Sequence, residues 1–156
     1  MDSKQLNEWI ERCAGQQLVG ATGLETAIET GIPRRRVDRI WLQMHDREPL
    51  AFGVDSTSGF LCWEAGDPTQ LTIDDLGNSR LVDVGPRAAL VAVDGLAFVG
   101  GQLIRFGSDE RPSALRLEFE GGVDVYLMVW GDALEAWGAE DLERLAKQGW
   151  VPQQVG

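Results

Sequence analysis

The chain predicts an α+β fold: a mainly antiparallel β-sheet with an N-terminal and a C-terminal helix packed against it. Two glycine-punctuated apolar runs, 40–67 and 103–132, carry the alternation and turn spacing of antiparallel strands. Segments near both ends place apolar residues at helical spacing between capping signals. The chain has 156 residues and neither a low-complexity tract nor a dividing linker, so it suits a single domain, 1–156, able to bury a real core.

Residues 3–14 read as a helix because Leu6, Trp9, Ile10 and Cys13 fall on one face. Asp2 and Gln5 have capping-box spacing, and Gly15 fits the stop. Residues 16–35 are ambiguous. Leu24 to Ile28 fits a short strand or a turn of helix, ended by Gly31-Ile32-Pro33. From Val37 to Met44 the pattern alternates, with Ile40, Leu42 and Met44 on one face and Arg39, Trp41 and Gln43 on the other. Leu50, Phe52 and Val54 repeat it. Phe60 to Trp63 is continuously apolar and reads as covered on both faces. Residues 64–80 read as a loop, with a short turn near Asp74-Asp75-Leu76.

Leu90-Val91-Ala92-Val93, Asp94-Gly95, Leu96-Ala97-Phe98-Val99 reads as a β-hairpin, since Asp-Gly supplies the positive φ angles of a type I′ turn. Gly100-Gly101 predicts a bend or bulge before the strand 103–106. Ser108 to Pro112 reads as a polar hairpin loop. Beyond it, Leu115, Leu117 and Phe119 face a core, and Arg116, Glu118 and Glu120 face water. After Gly121-Gly122, Val123, Val125, Leu127 and Val129 take one face, with Asp124, Tyr126, Met128 and Trp130 on the other. The last helix has Gly138 as N-cap, Trp137 stapled onto Leu142, and acids first and Lys147 last along its dipole. A Schellman stop at Gly149, with Trp150 on Leu145, ends it before Pro152. The two β runs match too loosely for a duplication; half-domains sharing one sheet explain them equally well.

Charge narrows the partners. Twenty-five Asp and Glu against fourteen Lys and Arg give −11. This balance disfavours nucleic acid, which needs a basic footprint, and anionic membranes likewise. A basic protein would be attracted. No stretch reaches the roughly 20 apolar residues of a membrane span, and Met1-Asp2-Ser3-Lys4 lacks the basic start of a signal peptide. Cys13 and Cys62, far apart among apolar neighbours, read as free thiols in a reducing cytoplasm.

Candidate chemistry is sparse. The one histidine, His45, sits beside Asp46 in a turn and reads as a surface residue. The two cysteines lack zinc-ligand spacing, and no GxSxG, HExxH, P-loop or dinucleotide-binding pattern occurs. Asp74-Asp75, Asp109-Glu110 and Glu140-Asp141 are adjacent acids of the kind that bind a cation or share acid–base work; solvated charge is the commoner use. Arg34-Arg35-Arg36 fits either pairing with the protein's own carboxylates or binding an anion, and the solvated or internally paired arrangement is favoured. Neither metal nor cofactor is expected. Of the six tryptophans, Trp41 and Trp130 fall opposite the core-facing residues. With Tyr126 and Met128 they form either an open aromatic patch or, under a covering helix, ordinary core, and the covered arrangement is favoured.

The segment Ile104, Leu115-Arg116-Leu117-Glu118-Phe119-Glu120-Gly121-Gly122 and Val123 to Val129 resembles small bacterial immunity proteins over about a third of the chain. The resemblance implies neutralisation of a secreted toxin by direct binding and carries over no site residues. Charge and resemblance together lead to the expectation of a non-catalytic, cytoplasmic domain that occludes the cleft of a basic toxin. The expected contacts are the loop acids Asp74, Asp75, Asp109 and Glu110, with Tyr126 and Trp130 as aromatic anchors. Two alternatives are a chaperone or adaptor for a secreted protein and a small carboxylate- or metal-dependent hydrolase.

Overall fold

The computed structural model describes residues 2–28, 34–72 and 77–155, without the side chains of 27, 28, 34 and 35. Among these residues, ten strands form two antiparallel five-stranded sheets. The α+β class is as expected, but the β runs build two sheets rather than sharing one. The first contains β1 (Leu18–Ile28), β2 (Arg34–Met44), β3 (Leu50–Val54), β4 (Leu61–Ala65) and β5 (Ser79–Asp83), ordered β4-β3-β2-β1-β5. The second contains β6 (Phe98–Arg105), β7 (Ala114–Phe119), β8 (Val123–Trp130), β9 (Ala133–Trp137) and the two-residue β10 (Gln153–Gln154), ordered β10-β6-β7-β8-β9. Each run gives one apolar face, and each face needs a partner. The two faces cover one another.

The shared core takes Ile40, Leu42, Leu50 and Phe52 from the first sheet and Leu115, Leu117, Phe119, Val125 and Leu127 from the second. Each such side chain contributes roughly 1.5–3 kcal/mol by leaving water. Helix α1 (Ser3–Cys13) inserts Leu6, Ile10 and Cys13 into the same core, and its capping box forms as the sequence predicts. The Trp9 indole donates to the Glu48 carbonyl, and the Trp63 indole to the Asp2 carbonyl. These bonds tie the helix to the first sheet, while its contact with β6 joins it to the second.

The ambiguous segment resolves as the long strand β1, paired along β2 and β5. Gly31 to Pro33 lies outside the described residues. Neither strand face of β1 is rich enough in apolar residues to announce it. Its Gly23 has a packing reason: a Cβ there would lie 2.7 Å from Val84 Cγ1 and 3.1 Å from Val37 Cγ1. A bulge at Asp38 breaks the alternation, so Val37 and Ile40 both reach the core. Trp41, on the face opposite Ile40, is buried as well, with the Arg39 guanidinium 5.8 Å from its ring centre.

Two expectations fail for identifiable reasons. The segment around Leu90 is not a hairpin but a short helix, α2 (Ala88–Val91). Val91 and Ala92 donate to the carbonyls of Arg87 and Ala88, four residues back, and the turn buries Leu90 and Val93 while leaving Val91 exposed. A three-residue spacing beats alternation there, and Gly95, at φ 78°, follows the helical turns rather than joining two strands. Phe60 to Trp63 is not covered on both faces, because β4 is an edge strand and Cys62 and Trp63 stay half-exposed. The loop expected over 64–80 holds a 3₁₀ turn (Pro68–Gln70) and gives way to β5, and the turn expected at Asp74-Asp75-Leu76 lies outside the described residues. Cys13 and Cys62 are both free; burial pushes the Cys13 thiol up to about 11.

The second sheet has a further apolar layer on its other face. Helix α3 (Ala139–Lys147) covers Ile104, Ala114 and Met128 with Leu142 and Leu145. Its Schellman stop forms as expected: Trp150 N–H donates to the Leu145 carbonyl at 3.0 Å and Gly149 N–H to that of Ala146 at 3.1 Å. The chain then turns back as β10 against the end of β6. A bulge lies at Val99, between Phe98 and Gly100, one residue ahead of where it is expected; Gly100 and Gly101 pair regularly within β6. Gly101 lies under α1, where an added Cβ would sit 2.9 Å from the Arg116 carbonyl oxygen and 3.5 Å from Ile10 Cδ1, whereas Gly100 has open space. Gly101→Ala is therefore expected to lower unfolding free energy by about 1–3 kcal/mol. Gly100→Ala stays within about 0.5 kcal/mol of the parent. Urea denaturation of both variants checks this, and equal effects would contradict the packing of α1 on β6.

Candidate functional site

Helix α3 is shorter than the face it covers. It buries Met128, half-buries Tyr126, and stops before Trp130, which is 44% exposed. The expected patch is thus divided: Met128 and Tyr126 pack under the helix as core, and Trp130 projects beyond it. Trp41 belongs to the other sheet. The Schellman turn at the end of α3 swings Trp150, 48% exposed, toward the same place.

Together these side chains wall a groove of about 350 Å³. Trp130 and Trp150 meet edge to face, with ring centres 6.4 Å apart and planes at 72°. Phe106 meets Trp150 in the same way at 6.3 Å, and Trp137 supports Trp130 from behind at 5.2 Å. Met128, Val129 and Leu145 form the apolar floor; Phe60 and Asp109 close the far side. Rings set at such angles make walls rather than a stack.

The loop between β6 and β7 completes the rim and is internally braced. Arg111 donates to Asp109 through Nε at 3.0 Å and Nη2 at 2.6 Å, and its backbone N–H adds a third bond at 2.9 Å. The Arg111 guanidinium lies 4.1 Å from the centre of the Phe60 ring. These donors hold the Asp109 carboxyl well below its ordinary value, at about 2. Much of the charge of Asp109 is therefore engaged within the loop. Glu110 is exposed and takes no ion pair among the described residues.

Of the six residues expected at a binding surface, Asp109 and Trp130 line the groove and Glu110 stands beside Asp109. Tyr126 lies back toward Trp137 and the polar part of the sheet, where Arg116 pairs with Asp124 at 2.9 Å. Burial raises its phenol pKa, with the Asp124 and Glu118 carboxylates acting in the same direction against Arg116. Asp74 and Asp75 lie outside the described residues. Of the arginine cluster, Arg36 pairs with Asp132, and the side chains of Arg34 and Arg35 lie outside the described residues. His45 is exposed beside Asp46.

The sequence did not place Phe60, Phe106, Trp150 or Arg111 at a binding surface. The three aromatic residues share one signal with Trp130. Gly59, Gly107, Gly131 and Gly149, all with positive φ, adjoin Phe60, Phe106, Trp130 and Trp150. An aromatic residue beside a turn glycine at a strand or helix end is placed at the rim of the sandwich, where separate turns gather.

Two other depressions offer less. One of about 490 Å³ between α2 and α3 is lined by alanines and glycines, and its Asp124 and Asp141 are held by Arg116 and Arg144. One of about 360 Å³ beside β1 is lined by Val19, Leu90 and Val91, with Asp83 and Asp94. Among the described residues, no three His, Cys, Asp or Glu side chains converge as a metal site would require, and no helix is long and apolar enough to cross a membrane.

What this defines is a two-sheet α+β domain with an aromatic groove at one rim. Compared with protein-family models, curated proteins and solved structures, the chain matches none.

The braced loop gives a pH prediction. The folded pKa of Asp109 is depressed, so its contribution to loop order is complete above the unfolded carboxylate value near about 4. It is lost as pH falls toward about 2. A carboxyl-carbon NMR titration should show Asp109 ionised through this window, and Arg111→Ala should return it to the usual aspartate range. An ordinary titration in the parent chain would break the assigned pairing.

Proposed function

We propose that this is a non-catalytic protein-binding domain, acting in the cytoplasm as an immunity protein that captures a basic toxin domain and occludes its active site. The observation that carries the reading is the exposure of Trp130 and Trp150 around one apolar groove, in a chain of net charge −11. Tryptophan is enriched among the residues that dominate binding energy at protein interfaces, and a pocket-lining ring with a braced support loses little freedom on docking. The charge acts at longer range. It draws in a cationic partner and speeds encounter, while the groove governs how long the complex lasts.

This division of labour supports occlusion. A toxin that attacks nucleic acid carries a basic cleft to hold phosphate, and exposed carboxylates such as Glu110 suit that cleft. The aromatic rim adjoins the acidic loop, so one docking event engages both. Neither role requires a reaction at the groove.

The test is co-expression with the product of the reading frame directly upstream, expected to be a toxin, followed by binding kinetics on the purified pair. Growth should be restored, and the association rate should fall as salt rises. Trp130→Ala should speed dissociation roughly tenfold or more. Glu110→Lys should chiefly slow association. A partner with an acidic docking surface, or one held only while unfolded, would overturn the proposal.

A further inference from the structure

Resting on the reading of a basic protein partner, we infer that the groove receives one arginine or lysine side chain of that partner. Its aliphatic stem would lie along Met128 and Leu145, with its cationic head between the faces of Trp130, Trp150 and Phe106. The domain already performs this recognition within its own fold. On the far wall, the Arg111 guanidinium sits 4.1 Å from the Phe60 ring centre while Asp109 holds it through two side-chain bonds. An aromatic face plus a carboxylate is thus a working guanidinium site in this loop.

The open side of the groove repeats the ingredients. Trp130 and Trp150 are steeply inclined, 72° apart, and Phe106 is inclined at 74° to Trp150. A cation in such a corner meets more than one electron-rich face, and tryptophan is the best of the aromatic partners. The floor of Met128, Val129 and Leu145 offers no charge, which suits the methylenes of a long basic side chain rather than its head. Exposed Glu110, next in the chain to the groove-lining Asp109, supplies an acid that is not committed to Arg111. Charge complementarity therefore selects among occupants: an anionic side chain is repelled, and a purely apolar one uses the floor without using the rim.

The experiment uses the full chain labelled with nitrogen-15, with the indole signals of Trp130 and Trp150 assigned through Trp130→Phe and Trp150→Phe. The probes are Gly-Gly-X-Gly-Gly peptides, blocked at both ends, with X as arginine, lysine, norleucine or glutamate. Arginine and lysine peptides should shift both indole signals and leave those of Trp9 and Trp63 in place. The norleucine peptide should bind roughly fivefold more weakly, and the glutamate peptide should not bind. Trp130→Leu keeps an apolar side chain and removes the π-face. It should weaken the arginine peptide roughly fivefold and spare the norleucine peptide. Glu110→Lys, at a side chain with no ion pair to lose among the described residues, should also weaken the arginine peptide, guarding against a mere packing defect in the tryptophan variant.

Equal binding of norleucine and arginine peptides would overturn the inference. So would arginine binding that leaves both indoles unmoved, although capture of a basic partner elsewhere would then still stand. Conversely, arginine binding at these indoles alongside failed toxin rescue would uphold the groove's chemistry and sink the immunity role.

Discussion

The structure depends on the apolar seam between its two sheets. Neither sheet could hold its inner face in water, and each supplies what the other lacks. Ile40, Leu42, Leu50 and Phe52 meet Leu115, Leu117, Phe119, Val125 and Leu127 in one continuous core, which α1 enters with Leu6, Ile10 and Cys13. Close approach is the accompanying constraint. Gly23 admits Val37 and Val84, and Gly101 admits both α1 and the carbonyl of Arg116. Interiors pack at crystal-like density, so each missing Cβ is part of the shape of the seam.

The groove is a consequence of how that sandwich ends. The second sheet needs a cover on its outer face, and α3 supplies one over Ile104, Ala114 and Met128. The helix is only nine residues long, and the sheet runs on past it. At that boundary the turns after β6, β8 and α3 bring Phe106, Trp130 and Trp150 together. The same Schellman bonds that satisfy the last carbonyls of α3 therefore orient a wall of the site. A terminal stop and a recognition surface are one piece of structure.

The polar side of the rim follows the same economy of parts. Arg111 neutralises Asp109, stacks on Phe60 and so links the β6–β7 loop to the residue just before β4. That link crosses from one sheet to the other, as does the Leu61 N–H bond to the Pro112 carbonyl at 2.9 Å. The groove thus stands on a loop fastened at both ends. Long-range attraction comes from the chain's net charge and short-range selectivity from the geometry of a few rings; these are separable properties.

Local signals were legible wherever a residue's neighbours in sequence are also its partners. The capping box at Asp2 and Gln5, the Schellman stop at Gly149, the Gly121-Gly122 turn and the alternation of Leu115, Leu117 and Phe119 all depend on spacings of a few residues. Strand β1 was not legible, because its pairing with β2 and β5 is non-local and its own apolar residues are few. The segment at Leu90 misled because an apolar run before Asp-Gly satisfies a hairpin and a capped helical turn equally, and only burial of Leu90 and Val93 against the sandwich chooses between them. Of the groove, the sequence marked Trp130 and the Asp109-Glu110 loop but could not join them to Phe60, Phe106 and Trp150. By itself the sequence determined the fold class, the two end helices and the net charge, which are sums over near neighbours. Tertiary structure alone decided that there are two sheets, that α3 stops short of Trp130, and that aromatic residues far apart in the chain share one rim, because those outcomes turn on which face covers which.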